Sequence, residues 1–446
     1  MRLAHELALT ALTAKPEAFD TFSRHLDDAW IEEALLATGT ATFRRRRLPA
    51  EQVVWLVIGM ALMRNRPIRD VVDHLDLALP ASDGKRVAAS AVVQARARIG
   101  AAPLEWLFVR TADEWGHASA ARHRWHELAL YGVDGTTLRV PDSDENRTFF
   151  GGQPAGDGRG DAGYPQLRLV TLMALRSHTL AAASFGPYGS DERTYAANLW
   201  PSVPNNSLTI VDRNYLAATI LMPLERDGHN RHWLTRATSR TKWRVVRELG
   251  RGDALVELDV SSYARGQDET LPKTWLVRAV DYQHKGHDRK VLLTSLTDAE
   301  RYPAEELTAL YHERWEIELS FDEVKTELLE REETIRSKSP ESVAQEVWGI
   351  LLAYNLIRLE MARIADEAGV EPTRISFVTA LRFIRSEWEW SWTSRSPGAI
   401  PKHLRRMRDD IARFVLPPRR SDRSYPRAVK IKMSNYQRNR KGGQLK

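Results

Sequence analysis

The segment YHERWEIELSFDEVK predicts a helix with four functional side chains on one face. They are Tyr311, Arg314, Glu318 and Lys325. At about 100° per residue, their spacing confines them to a stripe of roughly 60°. This set suits a phosphodiester substrate, because Glu318 can hold a divalent metal while the two cations bind phosphate oxygens. Spacing alone leaves two alternatives open: an ordinary exposed face with Glu–Lys and Glu–Arg pairs, or Asp322, on the same face, as the metal ligand.

Two aspartates upstream supply further carboxylates at the ends of predicted strands. In ELALYGVDGTTLRV an apolar run ends at Asp134, next to Gly135, and in NSLTIVDRNY a shorter run ends at Asp212. Each run indicates a buried strand with a carboxylate where the strand emerges. A strand-end aspartate, a second one and then a helical glutamate is the order in which a ribonuclease-H-like core assembles a two-metal site.

These residues give the chain a resemblance to the DDE transposases. The match to the Y-(2)-R-(3)-E-(6)-K signature of the insertion sequence 4 family is complete, through Tyr311, Arg314, Glu318 and Lys325. The segments DDAWIEEALLATGTATFRRRRLPAEQVVWLVIGMAL and RSYPRAVKIKMSNY also look like parts of that family's longer bacterial members. The resemblance therefore covers nearly the whole chain.

The resemblance implies a fold, an activity and partners. The fold is α/β, a ribonuclease-H-like mixed sheet core with a β-rich insertion, plus helical N-terminal and C-terminal regions. The activity is that of a transposase that binds insertion-element ends and carries out Mg²⁺-dependent DNA strand cleavage and strand transfer. The implied partner is double-stranded DNA, both the terminal inverted repeats and the target. The implied assembly is a homodimer in a synaptic complex.

The resemblance also implies a role for each residue of the site. The ligands of two Mg²⁺ ions, for which Mn²⁺ substitutes, are Asp134, Asp212 and Glu318. Asp134 bridges both ions in this arrangement. The side chains that position the DNA phosphates are Tyr311, Arg314 and Lys325. Water and then the freed 3′ hydroxyl act as nucleophiles, so no covalent protein intermediate is needed.

Composition agrees with this interpretation. The chain has 446 residues, of which 43% are hydrophobic, so it can bury a sizeable core. Since it has no cysteine, a metal must be held by oxygen or histidine. The N-terminus, interrupted by His5 and Glu6, is a poor signal peptide, and the apolar run 53–63 is too short to cross a bilayer. We therefore expect a cytoplasmic, nucleoid-associated bacterial protein with no membrane segment.

The sequence pattern divides the chain into five sections. We expect a helical N-terminal DNA-binding domain (1–120), the first part of the ribonuclease-H-like core (121–237), a β-rich insertion (238–297), the catalytic helix with the remainder of the core (298–365) and a helical C-terminal region with a basic tail (366–446). The catalytic helix is predicted to begin near Pro303 and to continue without a break to about Glu330.

Residues outside the site are candidates for DNA binding. They are Arg44, Arg45, Arg46, Arg47, Gln94, Arg98 and Trp243. Four adjacent arginines suit phosphates, although an exposed loop tolerates them equally well. Gln94 and Arg98 lie on the polar face of a predicted helix that could read base edges, or that could be an ordinary surface helix. Trp243 stands among basic residues and could stack on an extruded base, or it could belong to the core.

Three other functions are compatible with parts of the pattern. A catalytically inactive transposase-derived DNA-binding regulator would share the domains, yet it has little reason to keep three carboxylates and the helical cations. A different metal-dependent nuclease of the same fold does not account for the full helical signature. A hydrolase acting on something other than nucleic acid leaves the arginine cluster and the basic tail unexplained.

Overall fold

Apolar runs in the middle of the chain form the strands that carry the predicted site. The computed structural model describes residues 25–41, 48–75, 77, 86–154, 161–283, 289–330, 334–391 and 400–417. Within these ranges the strands are β1 (Ala129–Arg139), β2 (Gln153–Pro154), β3 (Asp161–Ala162), β4 (Gln166–Ala174), β5 (Leu180–Pro187), β6 (Ser207–Val211), β7 (Arg231–Arg236), β8 (Arg244–Gly250), β9 (Asp253–Asp259), β10 (Thr274–Tyr282) and β11 (Lys290–Thr294). All five positions of β6 are buried, including the polar Ser207 and Thr209, as expected for a central strand covered on both faces.

Nine of these strands form one mixed sheet in the order β5-β4-β1-β6-β7-β11-β10-β9-β8. β1, β6 and β7 are parallel, whereas β4 and β5 at one side and β8 to β11 at the other pair antiparallel. The first five strands have the order and directions of a ribonuclease-H-like core. The predicted fold class is therefore confirmed, with the β-rich strands extending the same sheet and helices at both ends.

The helices surround this sheet. Those described are α1 (Asp28–Ala37), α2 (Ala50–Leu62), α3 (Ile68–His74), α4 (Ala89–Ile99), α5 (Ala102–Thr111), α6 (Ala118–Arg122), α7 (Asp144–Phe150), α8 (Glu192–Ala197), α9 (Ala218–Arg226), α10 (Ser262–Gln267), α11 (Ala304–His312), α12 (Trp315–Asp322), α13 (Pro340–Ala368), α14 (Phe377–Ser391) and α15 (Ile400–Ala412). Among the described helices, none is long and apolar enough to cross a membrane.

The long helix α13 joins the N-terminal helices to the sheet. A Cβ on Gly349 would lie 2.5 Å from Cγ1 of Val57, so glycine at this position lets α13 approach α2 closely. The guanidinium of Arg96 on α4 donates to the side-chain oxygen of Gln345 at 2.8 Å. Towards the sheet, the amide side chain of Asn355 bonds both backbone groups of Leu180 on β5, each at 2.9 Å. α13 is therefore a common support for both halves of the chain.

The prediction of one uninterrupted catalytic helix is wrong. α11 ends at His312, α12 begins at Trp315, and a π-helical segment, Glu323–Leu328, follows α12. Between α11 and α12 the amides of Glu313 and Arg314 bond the carbonyls of Leu310 and Tyr311, the tighter i to i−3 pattern. A constant 100° per residue therefore does not hold along this region. Two tertiary ion pairs accompany the change in pitch: Glu313 with Arg176, and Arg314 with Asp134.

The strands predicted between residues 238 and 297 are present as β8 to β11, but the segment also contains the short helix α10. Ser261 caps this helix by accepting a hydrogen bond from the amide of Ala264. The expectation of strand-like segments alone is corrected to this extent. β11 pairs with β7, so the extension continues the core sheet.

A partly buried carboxyl group next to β7 makes the folding stability depend on pH. Glu225, on α9, accepts a hydrogen bond from Nε1 of Trp233. Burial raises the pKa of Glu225 to about 7, although hydrogen bonds from Trp233 and Trp275 oppose the rise. Between pH 4.5, the ordinary pKa of a glutamate, and about pH 7, the folded state keeps a proton that the unfolded state has lost. Folding stability therefore falls as pH rises through this window.

We predict that Glu225→Gln raises the free energy of unfolding by about 1–3 kcal/mol above pH 7, because the amide still accepts the indole hydrogen bond but is never ionised. Urea denaturation at about pH 8 and about pH 5 measures the difference, which should shrink at the lower pH. Glu248→Gln on the exposed face of β8 is the matched control. Equal changes at both pH values would contradict the prediction.

Candidate active site

Parallel pairing of β1 with β6 brings the two predicted aspartates together. Val133 stands opposite Val211 in the register, so the next residues, Asp134 and Asp212, are neighbours. Asp212 follows the end of β6 as predicted, but the prediction that Asp134 ends its strand is wrong, because β1 continues to Arg139 in its pairing with β4. The Asp134 side chain is 18% exposed and its Oδ1 accepts from the amide of Gly135 at 2.8 Å. Both carboxylates line the same open cleft. The structure thus joins two residues that are far apart in sequence.

The cleft concentrates negative charge around Asp134. Burial raises the pKa of Asp134 to about 7, and the carboxylates of Glu192 and Asp212 add to the rise. The amide of Gly135 and the charge of Arg314 act in the opposite direction. A bound cation would oppose the rise, because it stabilises the ionised carboxylates.

Arg314 connects Asp134 to the third predicted carboxylate. Its Nη1 lies 3.7 Å from Oδ2 of Asp134, and its Nη2 donates to Oε1 of Glu318 at 2.7 Å. The Arg314 side chain is 11% exposed, whereas that of Glu318 is 40% exposed. The guanidinium therefore bridges the strand carboxylate and the helix carboxylate.

The other two members of the predicted stripe lie in different surroundings. Tyr311 is 7% exposed on α11, its ring centre lies 6.3 Å from that of Tyr282, and burial raises its pKa to about 12. Lys325 is half-buried in the π-helical segment. Tyr311 precedes the tightened turn, and Lys325 lies within the π-helical segment. The four residues of the predicted stripe therefore do not lie on one regular α-helix.

Asp322, the rival ligand on α12, is exposed. Its Oδ1 accepts a hydrogen bond from the hydroxyl of Thr326 at 2.7 Å. Glu318 is the acid that shares Arg314 with Asp134. The geometry therefore favours Glu318 over Asp322 as the partner of the strand carboxylates.

Glu192 is a further acid in the cleft that sequence reasoning did not select. Its Oε1 accepts from the hydroxyl of Tyr215 at 2.5 Å, and its Oε2 accepts from Nη1 of Arg168 at 3.2 Å. A Cβ on Gly135 would lie 2.6 Å from Cδ of Glu192, so the glycine next to Asp134 makes room for this carboxylate. The acid-rich start of α8 was visible in the sequence, but that signal indicates only a helix N-terminus.

The cleft has a volume of about 580 Å³. Its lining residues are Asp134, Glu192, Asp212, Arg213, Asn214, Leu216 and Thr238. A second groove, of about 780 Å³, shares Leu216 and Thr238 with the cleft and reaches Arg240, Lys242 and Tyr263. The two depressions therefore adjoin at Leu216 and Thr238, and the second reaches basic residues that follow β7.

The donor atoms of the cleft suit a hard divalent cation, because carboxylate oxygens are the ligands that Mg²⁺ prefers. Asp134 and Asp212 are the residues best placed to hold one. Over the described part of the chain, no three carboxylate or imidazole groups converge as a ready-made metal site. Glu318, which accepts a hydrogen bond from Arg314, is not among the residues that line the cleft.

The remaining DNA-binding candidates are distributed elsewhere. Gln94 is exposed on α4, and Arg98, one turn later, donates to the carbonyl of Leu48 at 3.0 Å. Trp243 directly precedes β8 and is partly buried against the core on one face of the sheet. Their contacts with DNA stay predictions. The arginine cluster 44–47 and the basic tail from 418 onward lie outside the described residues.

Two family models match the chain. Residues 16–109 match the N-terminal region of the insertion element 4 transposases, and residues 126–356 match the transposase DDE domain. The second match covers the strands of Asp134 and Asp212 and the helix of Glu318.

Curated relatives agree with the family models. The transposase InsG of insertion sequence element IS4 from Escherichia coli (strain K12) is 38% identical over 418 residues, which is 92% of each chain. The putative transposase InsZ of the same strain is 40% identical over 236 residues, 53% of this chain and 77% of the relative. A solved piggyBac transposase synaptic complex with hairpin DNA is a distant neighbour, at 12% identity and a TM-score of 0.44 over 93% of this chain and 87% of that one. The identity over nearly the full length, together with the two domain matches, shows that the chain belongs to the IS4 family of DDE transposases.

Proposed function

We propose that this transposase binds the ends of its insertion element and carries out Mg²⁺-dependent strand cleavage and strand transfer in the cleft beside β1 and β6. The observation that carries the proposal is the pairing of Asp134 with Asp212, with Glu318 linked to Asp134 through Arg314. DDE transposases in general use divalent metal ions, and the oxygen donors of this cleft fit that requirement.

The proposed ligands of two Mg²⁺ ions are Asp134, Asp212 and Glu318, and Mn²⁺ is expected to substitute. Bound metal would activate the attacking oxygen and stabilise the leaving 3′ oxygen. Asp134 and Asp212 provide the rigid side of the site, because strand pairing fixes their backbones. Glu318 is the adjustable ligand, since its side chain is the more exposed and pairs with Arg314 before metal arrives.

Arg314 has two successive partners in this proposal. Without metal and DNA, its guanidinium neutralises Asp134 and Glu318. If Asp134 and Glu318 held metal, the guanidinium would be available to the scissile phosphate, whose oxygens match its fork of donors. Lys325 would add a second positive charge, and the Tyr311 hydroxyl would orient the backbone. The three side chains thereby counter charge that develops in the transition state.

The proposed path of the DNA follows the groove that leaves the cleft. Arg240 and Lys242 line it beyond Thr238, and Tyr263 offers an aromatic face that is 75% exposed. Basic side chains that follow a backbone, with an aromatic ring beside them, are typical of a bound nucleic-acid strand. We propose terminal inverted repeats and target DNA as the partners, and a homodimer as the synaptic assembly.

We predict that Asp134→Asn and Glu318→Gln each lower Mg²⁺-dependent nicking of element-end DNA by about 10³-fold or more, because each replaces a metal-binding carboxylate with a neutral amide of similar size. Asp322→Asn, on the same helix as Glu318, is the matched control and should stay within about threefold of the wild type. The measurement is the initial nicking rate of labelled end DNA, with folding followed by thermal denaturation.

If Asp322→Asn lost nicking activity while Glu318→Gln kept it, Asp322 and not Glu318 would be the third ligand. Wild-type protein that binds end DNA without nicking it in Mg²⁺ or Mn²⁺ would favour the alternative of a catalytically inactive DNA-binding regulator.

We also predict that Arg314→Gln raises the affinity for Mn²⁺ in the absence of DNA by roughly threefold to tenfold, since loss of an ion pair frees Glu318 and Asp134. The same variant should nick end DNA about 10²-fold more slowly, because the phosphate loses a cation. Electron paramagnetic resonance titration with Mn²⁺ measures the first effect. The control is Arg363→Gln, whose guanidinium pairs with Glu367 at 3.8 Å on α13. Unchanged Mn²⁺ affinity would contradict the bridging role of Arg314.

A further inference from the structure

A buried ionic network lies behind the catalytic helix α12. Glu316 precedes Glu318 by two residues, about 200° around a helix, so its side chain points to another face. There, Oε2 of Glu316 lies 2.7 Å from Nε2 of His178. His178 is 2% exposed, and the Glu316 side chain is 13% exposed. The contact therefore holds α12 from the side opposite to the proposed metal ligand.

Charged side chains surround both ring nitrogens of His178. Its Nε2 faces the carboxylate of Glu316 at 2.7 Å. Its Nδ1 lies 2.5 Å from Nη2 of Arg358 on α13 and 3.5 Å from Oε2 of Glu323. One ring joins an arginine of α13 to a glutamate of α12.

The same arginine holds the segment that follows α12. Arg358 also donates to Oε2 of Glu323, which accepts from the hydroxyl of Tyr354 at 2.8 Å. Burial alone would raise the pKa of Glu323, but Arg358, His178 and Tyr354 together outweigh burial and lower this pKa to about 2. Glu323 opens the π-helical segment that contains Lys325. The network therefore contacts α12 before Glu318, through Glu316, and the π-helical segment after it, through Glu323.

The backbone of His178 is attached to the strand of Asp134. His178 occupies the turn between β4 and β5, where its amide donates to the carbonyl of Ala174 at 2.9 Å. Ala174 pairs with Tyr131, three residues before Asp134 on β1. His178 has a φ of 60°, a left-handed conformation that costs a non-glycine residue energy unless its surroundings maintain it. A fixed turn thus presents the imidazole at a defined distance from β1.

We infer that His178 is a positioning residue, which sets the distance between the helix of Glu318 and the strand of Asp134 through its hydrogen bond to Glu316. This inference rests on the proposed metal roles of Asp134 and Glu318. His178 is buried, and in this inference it acts through Glu316 and Arg358. Its loss leaves the cleft lined by the same residues, with α12 free to shift against β1.

Two variants each remove the hydrogen bond between His178 and Glu316, one by changing the histidine and one by changing the glutamate. His178→Asn tolerates the left-handed backbone and keeps an acceptor near Nδ1, but it loses the donor to Glu316. Glu316→Ala removes the acceptor at a partly exposed position of α12. Glu316→Gln keeps an acceptor oxygen and is the conservative rescue. The matched control is His126→Asn, because His126 also has a positive φ, of 48°, and its Nε2 lies 2.9 Å from Oε2 of Glu306 at the surface.

We expect His178→Asn and Glu316→Ala each to lower the nicking rate at saturating end DNA by about 10-fold to 100-fold, with the DNA concentration at half-maximal rate changed less than about threefold. Mn²⁺ affinity in the presence of end DNA, measured by paramagnetic resonance, should fall by a factor in the same range. The double variant should be no worse than either single variant, and Glu316→Gln and His126→Asn should behave like the wild type.

The inference is overturned if His178→Asn and Glu316→Ala nick at the wild-type rate while Asp134→Asn and Glu318→Gln are inactive. Multiplicative losses in the double variant, or a loss confined to the DNA concentration at half-maximal rate, also overturn it. If Asp134→Asn and Glu318→Gln themselves remain active, the proposed function fails, and the positioning role fails with it. Thermal denaturation of each variant separates these outcomes from unfolding.

Discussion

Two carboxylates held side by side by parallel strands create a like-charge repulsion that the rest of the site must balance. β1 and β6 fix the backbones of Asp134 and Asp212, and Glu192 adds a third negative group to the same cleft. Arg314 supplies a positive charge 3.7 Å from Asp134, while burial and the neighbouring carboxylates raise the pKa of Asp134. A cleft with this charge pattern favours cations and, through them, phosphate oxygens.

The remaining elements keep the helix of Glu318 next to these strands. α13 bonds both backbone groups of Leu180 through Asn355, and it holds α12 and the π segment through Arg358. Because the sheet, the β4–β5 turn and α13 all contact the same region, the position of Glu318 depends on residues from distant parts of the chain. The N-terminal helices contribute through their packing on α13, where Gly349 meets Val57.

The sequence identified the three acids and the helical signature because their signals are local. An apolar run that ends at Asp134 or Asp212 is a property of about ten residues, and so is the spacing of Tyr311, Arg314 and Glu318. The pitch of the helix was not predictable in this way. The tightened turn at Glu313 and the π segment after Asp322 coincide with ion pairs to Arg176 and Arg358, which lie far away in sequence.

The sequence by itself determined the family, the mixed sheet and which residues are chemically able to hold metal and phosphate. Only the tertiary structure decided which groups meet. It put Glu192 beside Asp134, placed the Arg314 guanidinium between Asp134 and Glu318, and brought His178 against Glu316. Residue spacing records contacts within one element, whereas these contacts join different elements and depend on how the sheet and α13 pack. Charge balance in a partly buried cleft is therefore a property of the folded chain.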